Sequence, residues 1–136
     1  MLKRKELGNR GEEVAANFLK KQGYRIIERN YQARMGEIDI VAREAVTIVF
    51  VEVKTRRSTD FGLPEEALSY DKRRRLTKLA LSYLTYHKIK NKNCRFDVVS
   101  ILIDEDRVKD VRLIKNAFEA VKKIGTATIF LYLTLN

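Results

Sequence analysis

The stretch GEIDIVAREAVTIVFVEVK, residues 36–54, has the pattern of two adjacent β-strands joined by a turn near residues 43–46. Apolar residues alternate with others at a period of two on both sides of that turn, which is typical of half-buried strands. One face of the predicted hairpin is apolar throughout and comprises Ile38, Ile40, Ala42, Val49, Val51 and Val53. The other face is apolar only near the turn, at Val41, Ile48 and Phe50.

The far end of that second face is charged, with Glu37, Asp39, Glu52 and Lys54. If paired residue numbers sum to about 89 or 91, Asp39 lies opposite or diagonal to Glu52, and Lys54 follows one step further along the same face. A slip of one residue would separate these side chains. The hairpin pattern therefore predicts an acidic cluster beside one lysine.

Carboxylates held this close cannot all stay ionised without a positive charge nearby. Lys54 supplies one charge, and a hard cation such as Mg²⁺ or Mn²⁺ would supply two, bound by Asp39, Glu52 and the backbone carbonyl of Val53. A Glu-x-Lys pair on a strand is by itself more often a solvated ion pair. Adding Asp39 at the same end favours a metal site, and with it hydrolysis of a phosphate ester assisted by Lys54.

The segments GEIDIV, residues 36–41, and FVEVKTR, residues 50–56, together resemble the core of the PD-(D/E)XK nuclease superfamily. The resemblance is strongest to the small bacterial YraN-type proteins, which are similar to archaeal Holliday-junction resolvases, and it extends from Gly8 to Phe118. It implies an α/β domain of restriction-endonuclease-like type, with a central mixed β-sheet flanked by helices. It also implies Mg²⁺-dependent cleavage of DNA, including branched DNA.

Two interpretations of Glu12 are open. Asn9 and Glu12 have the spacing of a capping box, in which Glu12 would bind backbone amides at the start of a helix. In the resembling family, a glutamate of the first helix is instead the third acidic member of the catalytic site. The two roles do not exclude each other.

The chain has a net charge of +10 and a pI near 9.8, which favours a polyanionic partner and salt-dependent binding. A single cysteine and a single histidine exclude an internal disulfide, a cysteine zinc cluster and a multi-histidine metal site. Any catalysis must therefore rely on oxygen ligands and lysine. Because we find neither a signal peptide nor an apolar stretch of membrane-spanning length, we expect a cytoplasmic protein without a membrane partner.

The flanking segments predict a helix over Leu7 to Gln22, a strand over Tyr24 to Tyr31 and a second helix over Glu65 to His87. Lys72 falls on the buried side of the second helix, so it either extends to water or reaches a negative group. The family also carries a lysine there. The predicted nucleic-acid contacts are Arg34, Arg56, Arg57, Lys72, Arg73, Arg74, Arg75 and Lys78.

The segment Thr55 to Pro64 is a candidate mobile loop over the substrate. Beyond the second helix, the pattern predicts strands over Cys94 to Ile103 and Val108 to Leu113, and a short helix over Asn116 to Lys123. Asp97 is expected to pair with an arginine or lysine of a neighbouring strand rather than with a metal.

Residues 1–123 are expected to form the nuclease-like domain, and residues 124–136 a strand-like extension of it. The alternation in that extension suggests pairing with its own sheet or with a second copy in a homodimer. The favoured function is a metal-dependent endonuclease acting on DNA. The rivals are a catalytically silent nucleic-acid-binding module on the same fold, and an assembly protein that acts through residues 124–136.

Overall fold

The structure is a computed structural model, described here for residues 2–58 and 68–120. Two helices and five strands follow one another along the described chain. They are α1 (Arg4–Lys21), β1 (Arg25–Ala33), β2 (Gly36–Glu44), β3 (Thr47–Arg57), α2 (Tyr70–Tyr86), β4 (Cys94–Asp104) and β5 (Arg107–Phe118). Neither helix is both long and apolar enough to cross a membrane. The predicted loop from Thr55 to Pro64 is strand as far as Arg57, and residues 59–67 lie outside the described part, as do residues 121–136.

The five strands form one mixed sheet in the order β1-β2-β3-β4-β5. Only the central pair, β3 with β4, is parallel, and the other neighbours are antiparallel. The parallel pair is possible because α2 returns the chain to the other end of the sheet. The prediction of an α/β fold of restriction-endonuclease-like type, a central mixed sheet flanked by helices, is confirmed.

The β2–β3 hairpin has one of the two registers expected from its sequence. Ile40 pairs with Val51, Val41 with Phe50 and Ala42 with Val49, and the turn includes Ala45 at a φ of 53°. Continuing this register beyond Ile40 and Val51 brings Asp39 level with Glu52. The alternation of apolar residues therefore determined the pairing correctly.

Each face of the sheet is covered by one helix. On the α1 side, the buried core includes Leu7, Ala15, Leu19, Ile40, Ala42, Val49 and Val51. On the α2 side, it includes Val41, Ile48, Phe50, Leu76, Leu79, Tyr83 and Leu84. The prediction that Ile38 shares the face of Ile40 is wrong, because Ile38 pairs across the strands with Tyr31 and both belong to the α2-side core.

Helix α1 begins earlier than the sequence predicted. Its N-cap is Lys3, whose side chain makes no capping hydrogen bond, and Asn9 lies well inside the helix. The capping-box interpretation of Asn9 and Glu12 is therefore wrong, since a capping box requires a helix that starts at the capping residue. The C-terminal end agrees with the prediction, because Gly23 follows the helix with a φ of 94°.

Gly11 brings α1 into close contact with β3. A Cβ atom built on Gly11 would lie only 1.7 Å from Oγ1 of Thr55. Gly8, one turn earlier in the same helix, has no neighbouring atom within 4 Å of the corresponding position. The small residue at position 11 thus fixes how closely the helix that carries Glu12 approaches the strand that carries Glu52.

We expect Gly11→Ala to lower the free energy of unfolding by about 1–3 kcal/mol, because the methyl group must displace Thr55. Gly8→Ala is the matched control and should raise stability by about 0.5–1 kcal/mol through helix propensity alone. Urea unfolding of both variants checks the difference. Equal stabilisation by the two substitutions would contradict the close packing, whereas adding Thr55→Gly to Gly11→Ala should recover part of the loss.

Helix α2 starts later than predicted within the described residues. Leu68 and Ser69 precede it, and the Ser69 hydroxyl accepts a hydrogen bond from the backbone amide of Lys72 at 3.2 Å. Ser69 is a favourable N-cap because its side chain satisfies an amide that has no partner within the helix. His87 ends the helix, and the centroid of its ring lies 4.3 Å from that of Tyr83.

The predicted helix at Asn116–Lys123 is wrong over the residues that the structure describes. Strand β5 continues to Phe118, whose ring stacks on Phe96 of β4 at a centroid distance of 4.5 Å. Asn116 has a φ of 51°, and its backbone amide donates to Oδ1 of Asp97 at 3.0 Å. These contacts with β4 outweigh the local helix propensity of the segment.

Asp97 is fully buried at the centre of a polar network. Its carboxylate accepts hydrogen bonds from the Tyr24 hydroxyl at 2.8 Å and from Nε of Arg95 at 2.9 Å. Arg95 also contacts Glu44 at 2.5 Å, and Glu44 accepts a further bond from Lys115 at 2.8 Å. The expected partner of Asp97 is thus an arginine, although Arg95 lies on the same strand rather than on a neighbouring one.

Candidate metal centre and nucleic-acid cleft

The candidate site lies where the ladder between β2 and β3 ends. The last backbone pair on this side joins Ile40 to Val51. Two residues further along β3, the amide of Val53 donates to Oδ2 of Asp39 at 2.8 Å. A side-chain carboxylate, rather than a backbone carbonyl, is therefore the acceptor for this strand amide. The hydrogen bond fixes the Asp39 carboxylate beside the backbone that follows Glu52.

Helix α1 adds a third carboxylate to this end of the hairpin. Oxygen atoms of Glu12, Glu37 and Asp39 all lie within 4.8 Å of one another. Glu12 is half-buried in α1, and Glu37 is exposed at the start of β2. The convergence of Glu12 with Asp39 is the arrangement that the resemblance implied.

The buried setting and the shared negative charge change how these acids titrate. Burial raises the pKa of Asp39 to about 8, and the adjacent Glu52 adds to the rise, while the Val53 amide opposes it. Burial and the Glu37 carboxylate also raise the pKa of Glu12, against the opposing charge of Arg29. The cluster therefore favours either a proton or an added cation.

Glu52, which adjoins Asp39, also has a positively charged partner. Its carboxylate lies 2.5 Å from the ammonium nitrogen of Lys72 on α2. The Glu52 side chain is 8% exposed and that of Lys72 is 31% exposed. Lys72, which the sequence placed on the buried side of its helix, thus reaches a negative group at the site.

An open cleft of about 270 Å³ runs past these residues. Its walls combine acidic, basic and small side chains from both helices and from β3. They are Arg4, Leu7, Gly8, Glu12, Glu52, Val53, Lys54, Thr55, Arg57 and Lys72. Carboxylates and ammonium groups therefore face one space that is large enough for a phosphate group.

Sequence comparison places the chain in a family. The profile of the uncharacterised protein family UPF0102 matches residues 11–101, which include Glu12, Asp39, Glu52, Lys54 and Lys72. The chain belongs to UPF0102. This is the YraN family, so the assignment made from GEIDIV and FVEVKTR is confirmed.

The relatives match over most of their own length. A UPF0102 protein of Caldicellulosiruptor saccharolyticus is 51% identical over 118 residues, which cover 86% of this chain and 100% of the relative. UPF0102 proteins of Syntrophus aciditrophicus and Geobacter sulfurreducens are 49% and 48% identical, over 82% and 85% of this chain. Their names give the family and state no activity.

The structure brings together some of the residues selected from the UPF0102 sequence and leaves others apart. Those at the cleft or the acidic cluster are Glu12, Asp39, Glu52, Val53, Lys54, Arg57 and Lys72. Among the described residues, those that do not line the cleft are Arg34, Arg56, Arg73, Arg74, Arg75 and Lys78. Arg34 lies in the β1–β2 turn, Arg56 on β3, and the remaining four on α2.

The sequence interpretation missed one charged residue of the UPF0102 site, Arg4. Glu37 was placed on the charged face with Asp39 by the strand period, but it was not selected as a metal ligand. Arg4 precedes Glu12 by eight positions, and residues four apart in a helix share a face. Arg4 was overlooked because α1 was expected to begin only at Leu7.

The donor set of the UPF0102 cluster suits a hard divalent cation. Glu12, Glu37 and Asp39 offer carboxylate oxygens, the ligands that Mg²⁺ and Mn²⁺ prefer. Cys94 is buried in the α2-side core, and burial raises its thiol pKa to about 12, so it stays protonated away from the cluster. The oxygen donors thus fit the cation expected from the sequence.

The raised pKa of Asp39 predicts a pH dependence of stability in the metal-free protein. The folded state holds the Asp39 proton up to about pH 8, whereas the ordinary pKa is 3.8. The stabilisation that comes from the Asp39 proton is therefore complete below about pH 4. It is lost as the pH rises from there through 8, by about 1.4 kcal/mol per pH unit.

The measurement compares urea unfolding of the wild type and of Asp39→Asn from pH 4 to 9 in EDTA. The stability of the wild type relative to the variant should fall steadily across this range. A difference that is independent of pH would contradict the raised pKa.

Proposed function

We propose that the protein is a metal-dependent endonuclease that hydrolyses phosphodiester bonds of DNA. The observation that carries the proposal is the shared cleft, in which Glu12 and Glu52 face Lys54 and Lys72 beside the Asp39 carboxylate. Acidic and ammonium groups at such short range suit a reaction that holds a cation and a phosphate together. The net charge of +10 supports a polyanionic substrate.

Asp39 and Glu12 would hold the cation, with Glu52 and the Val53 carbonyl as further ligands. When bound, Mg²⁺ or Mn²⁺ would polarise the phosphate and lower the pKa of a water molecule. The Val53 amide keeps Asp39 oriented toward the cluster through its 2.8 Å hydrogen bond. Glu37, within 4.8 Å of both Glu12 and Asp39, is an additional ligand from the same strand as Asp39.

The basic residues of the cleft would bind the substrate. Lys54 lies two residues after Glu52 on β3, so its ammonium group can stabilise negative charge that develops on the phosphate oxygens. Arg57 is anchored by a hydrogen bond from its guanidinium to the Leu2 carbonyl, and Arg4 stands on the α1 wall. These cations would hold phosphates on either side of the bond that is cut.

A wider basic surface would extend the contact along the nucleic acid. Arg73, Arg74, Arg75 and Lys78 follow Lys72 on α2 and lie outside the cleft. They would contact backbone phosphates, and each neutralised phosphate makes binding more salt-dependent, with a slope of roughly −0.9 per contact for duplex DNA. Branched DNA is the preferred substrate class by the resemblance to junction resolvases.

The test incubates purified protein with labelled duplex, forked and four-way DNA, and with RNA of matched sequence. Each substrate is tested with Mg²⁺, with Mn²⁺ and with EDTA. The expected result is cleavage of at least one DNA substrate that requires the divalent cation. Failure to cleave any substrate, combined with failure to bind Mn²⁺ in calorimetry, would overturn the proposal.

One observation favours a second candidate, a catalytically silent module that binds nucleic acid. Lys72 already neutralises Glu52, and a proton on Asp39 would leave the cluster stable without a cation. Such a module would bind DNA with the same salt dependence, but neither Mg²⁺ nor Mn²⁺ would change its affinity or its melting temperature. A third function, assembly through residues 124–136, predicts DNA binding that is absent or insensitive to salt.

A further inference from the structure

We propose that Lys72 is a built-in counter-ion that holds Glu52 in the metal-free protein and releases it when a divalent cation arrives. The inference rests on the proposed function, since it concerns the same metal centre. It assigns to Lys72 control of metal affinity, beyond a contact with substrate phosphate. It also predicts that removing this lysine strengthens metal binding.

The first support is the unequal burial of the two partners. Glu52 is almost fully buried, so its carboxylate cannot turn to water when it loses Lys72. The Lys72 side chain is about a third exposed and sits at the third position of α2, after the Ser69 cap. Lysine has a flexible stem, so the ammonium group is the partner that can move.

The second support is the position of Glu52 relative to the other acids. Glu12, Glu37 and Asp39 have oxygens within 4.8 Å of one another, and Glu52 is not in that group. Glu52 nevertheless adjoins Asp39 across the hairpin, and its side chain lines the cleft together with Glu12. The 2.5 Å contact with Lys72 therefore places an ammonium group on a carboxylate that a cation at the cluster would also reach.

An ammonium group and a divalent cation compete for one carboxylate, because their charges repel each other at such distances. A cation that takes the Oε2 atom of Glu52 must therefore displace Lys72 from it. The cleft is lined by Lys72 itself, so the released ammonium group stays in the space where a phosphate would bind. Metal binding and phosphate binding are thereby coupled in the favourable direction.

The experiment measures Mn²⁺ affinity by calorimetry, without DNA, for the wild type, Lys72→Gln and Lys92→Gln. Glutamine at position 72 can still donate a hydrogen bond to Glu52 but carries no charge. We expect Lys72→Gln to bind Mn²⁺ about tenfold more tightly, equivalent to about 1.4 kcal/mol. Lys92→Gln removes the same charge from the exposed turn before β4, where Cys94 pairs with Ile48, roughly 13 Å along β3 from Glu52, and should change the affinity less than about twofold.

The outcomes separate this inference from the proposed function. If the wild type binds Mn²⁺ and Lys72→Gln binds it equally or more weakly, the counter-ion role is wrong and the metal centre stands. If the wild type binds no Mn²⁺, both fail. Lys72→Arg, which restores the charge, should return the affinity of the glutamine variant toward that of the wild type.

A second measurement, the melting temperature with and without Mn²⁺, tests the inference even if Lys72→Gln folds less well than the wild type. Without metal, Lys72→Gln should melt at a lower temperature than the wild type, because Glu52 loses its charged partner. Saturating Mn²⁺ should raise its melting temperature by more than it raises that of the wild type, since tighter binding to the folded state stabilises it more. If the variant is unfolded without metal and stays unfolded with it, the inference is overturned.

Discussion

Asp39→Asn is expected to lower the rate of metal-dependent DNA cleavage on the order of a thousandfold. Asparagine has nearly the same shape and still offers an oxygen to the Val53 amide, so the hairpin should remain intact. What it lacks is the negative charge beside Glu12 of α1 and Glu37 of the same strand. Single-turnover cleavage of the best DNA substrate measures the effect.

The matched control for Asp39→Asn is Asp110→Asn. Asp110 is exposed on β5 and pairs with Arg112 at 2.7 Å, so its loss should leave the cleavage rate unchanged. DNA affinity in EDTA should be equal to or higher than that of the wild type for Asp39→Asn, because removing a carboxylate reduces repulsion of phosphates. Cleavage by Asp39→Asn at the wild-type rate would refute the assignment of the metal centre.

The second large effect is on folding. Asp97→Ala is expected to lower the free energy of unfolding by about 3–5 kcal/mol, because it leaves Arg95 without its buried partner. The substitution also removes the acceptor for the Tyr24 hydroxyl and for the Asn116 amide. Urea unfolding followed by circular dichroism measures the loss.

Asp110→Ala provides the comparison, since it breaks an exposed pair of the same residue types and should cost about 1 kcal/mol or less. Equal losses for the two variants would show that the Asp97 network adds nothing beyond a surface ion pair. Asp97 pairs with Val51, next to the cleft residue Glu52, but its carboxylate bonds to Tyr24, Arg95 and the Asn116 amide and does not line the cleft. Any remaining folded Asp97→Ala protein should therefore still bind Mn²⁺.

The sequence predicted the hairpin well because its pattern is local. Alternation on both strands allows few registers, and the observed one, with Ile40 opposite Val51, gathers Asp39 and Glu52 as expected. The polyanionic partner and the absence of a cysteine or histidine metal site were likewise predicted from residue counts alone. The central part of the site could therefore be anticipated before any coordinates were known.

The errors arose where distant contacts outweigh local preference. Asn9 and Glu12 have the spacing of a helix start, but the helix begins at Arg4 after a residue with no capping side chain. Likewise, the segment after Ile114 favours a helix locally, whereas Phe118 stacks on Phe96 and extends β5. The sequence of the segment does not show that Phe96 and strand β4 will lie beside it.

The partner of Lys72 shows the same limit in another form. The helical period placed Lys72 on the buried side, but no pattern could say whether it would meet Glu52, Asp39 or water. That outcome depends on how α2 crosses the sheet, which the capping of Ser69 and the packing of Leu76 and Leu79 determine together. Which residues form this ion pair therefore depends on how the helix packs on the sheet.

The parallel pairing of β3 with β4 has a consequence for how the chain acquires its shape during synthesis. The β1–β2–β3 meander is built from neighbours in sequence and can form soon after it emerges from the ribosome. One edge of this meander, strand β3, has no partner strand until Cys94 is made and pairs with Ile48, after the whole of α2 has been synthesised. A nascent chain stalled within that interval would present the apolar edge of β3 to other chains, which makes this the stage at which aggregation is most readily triggered.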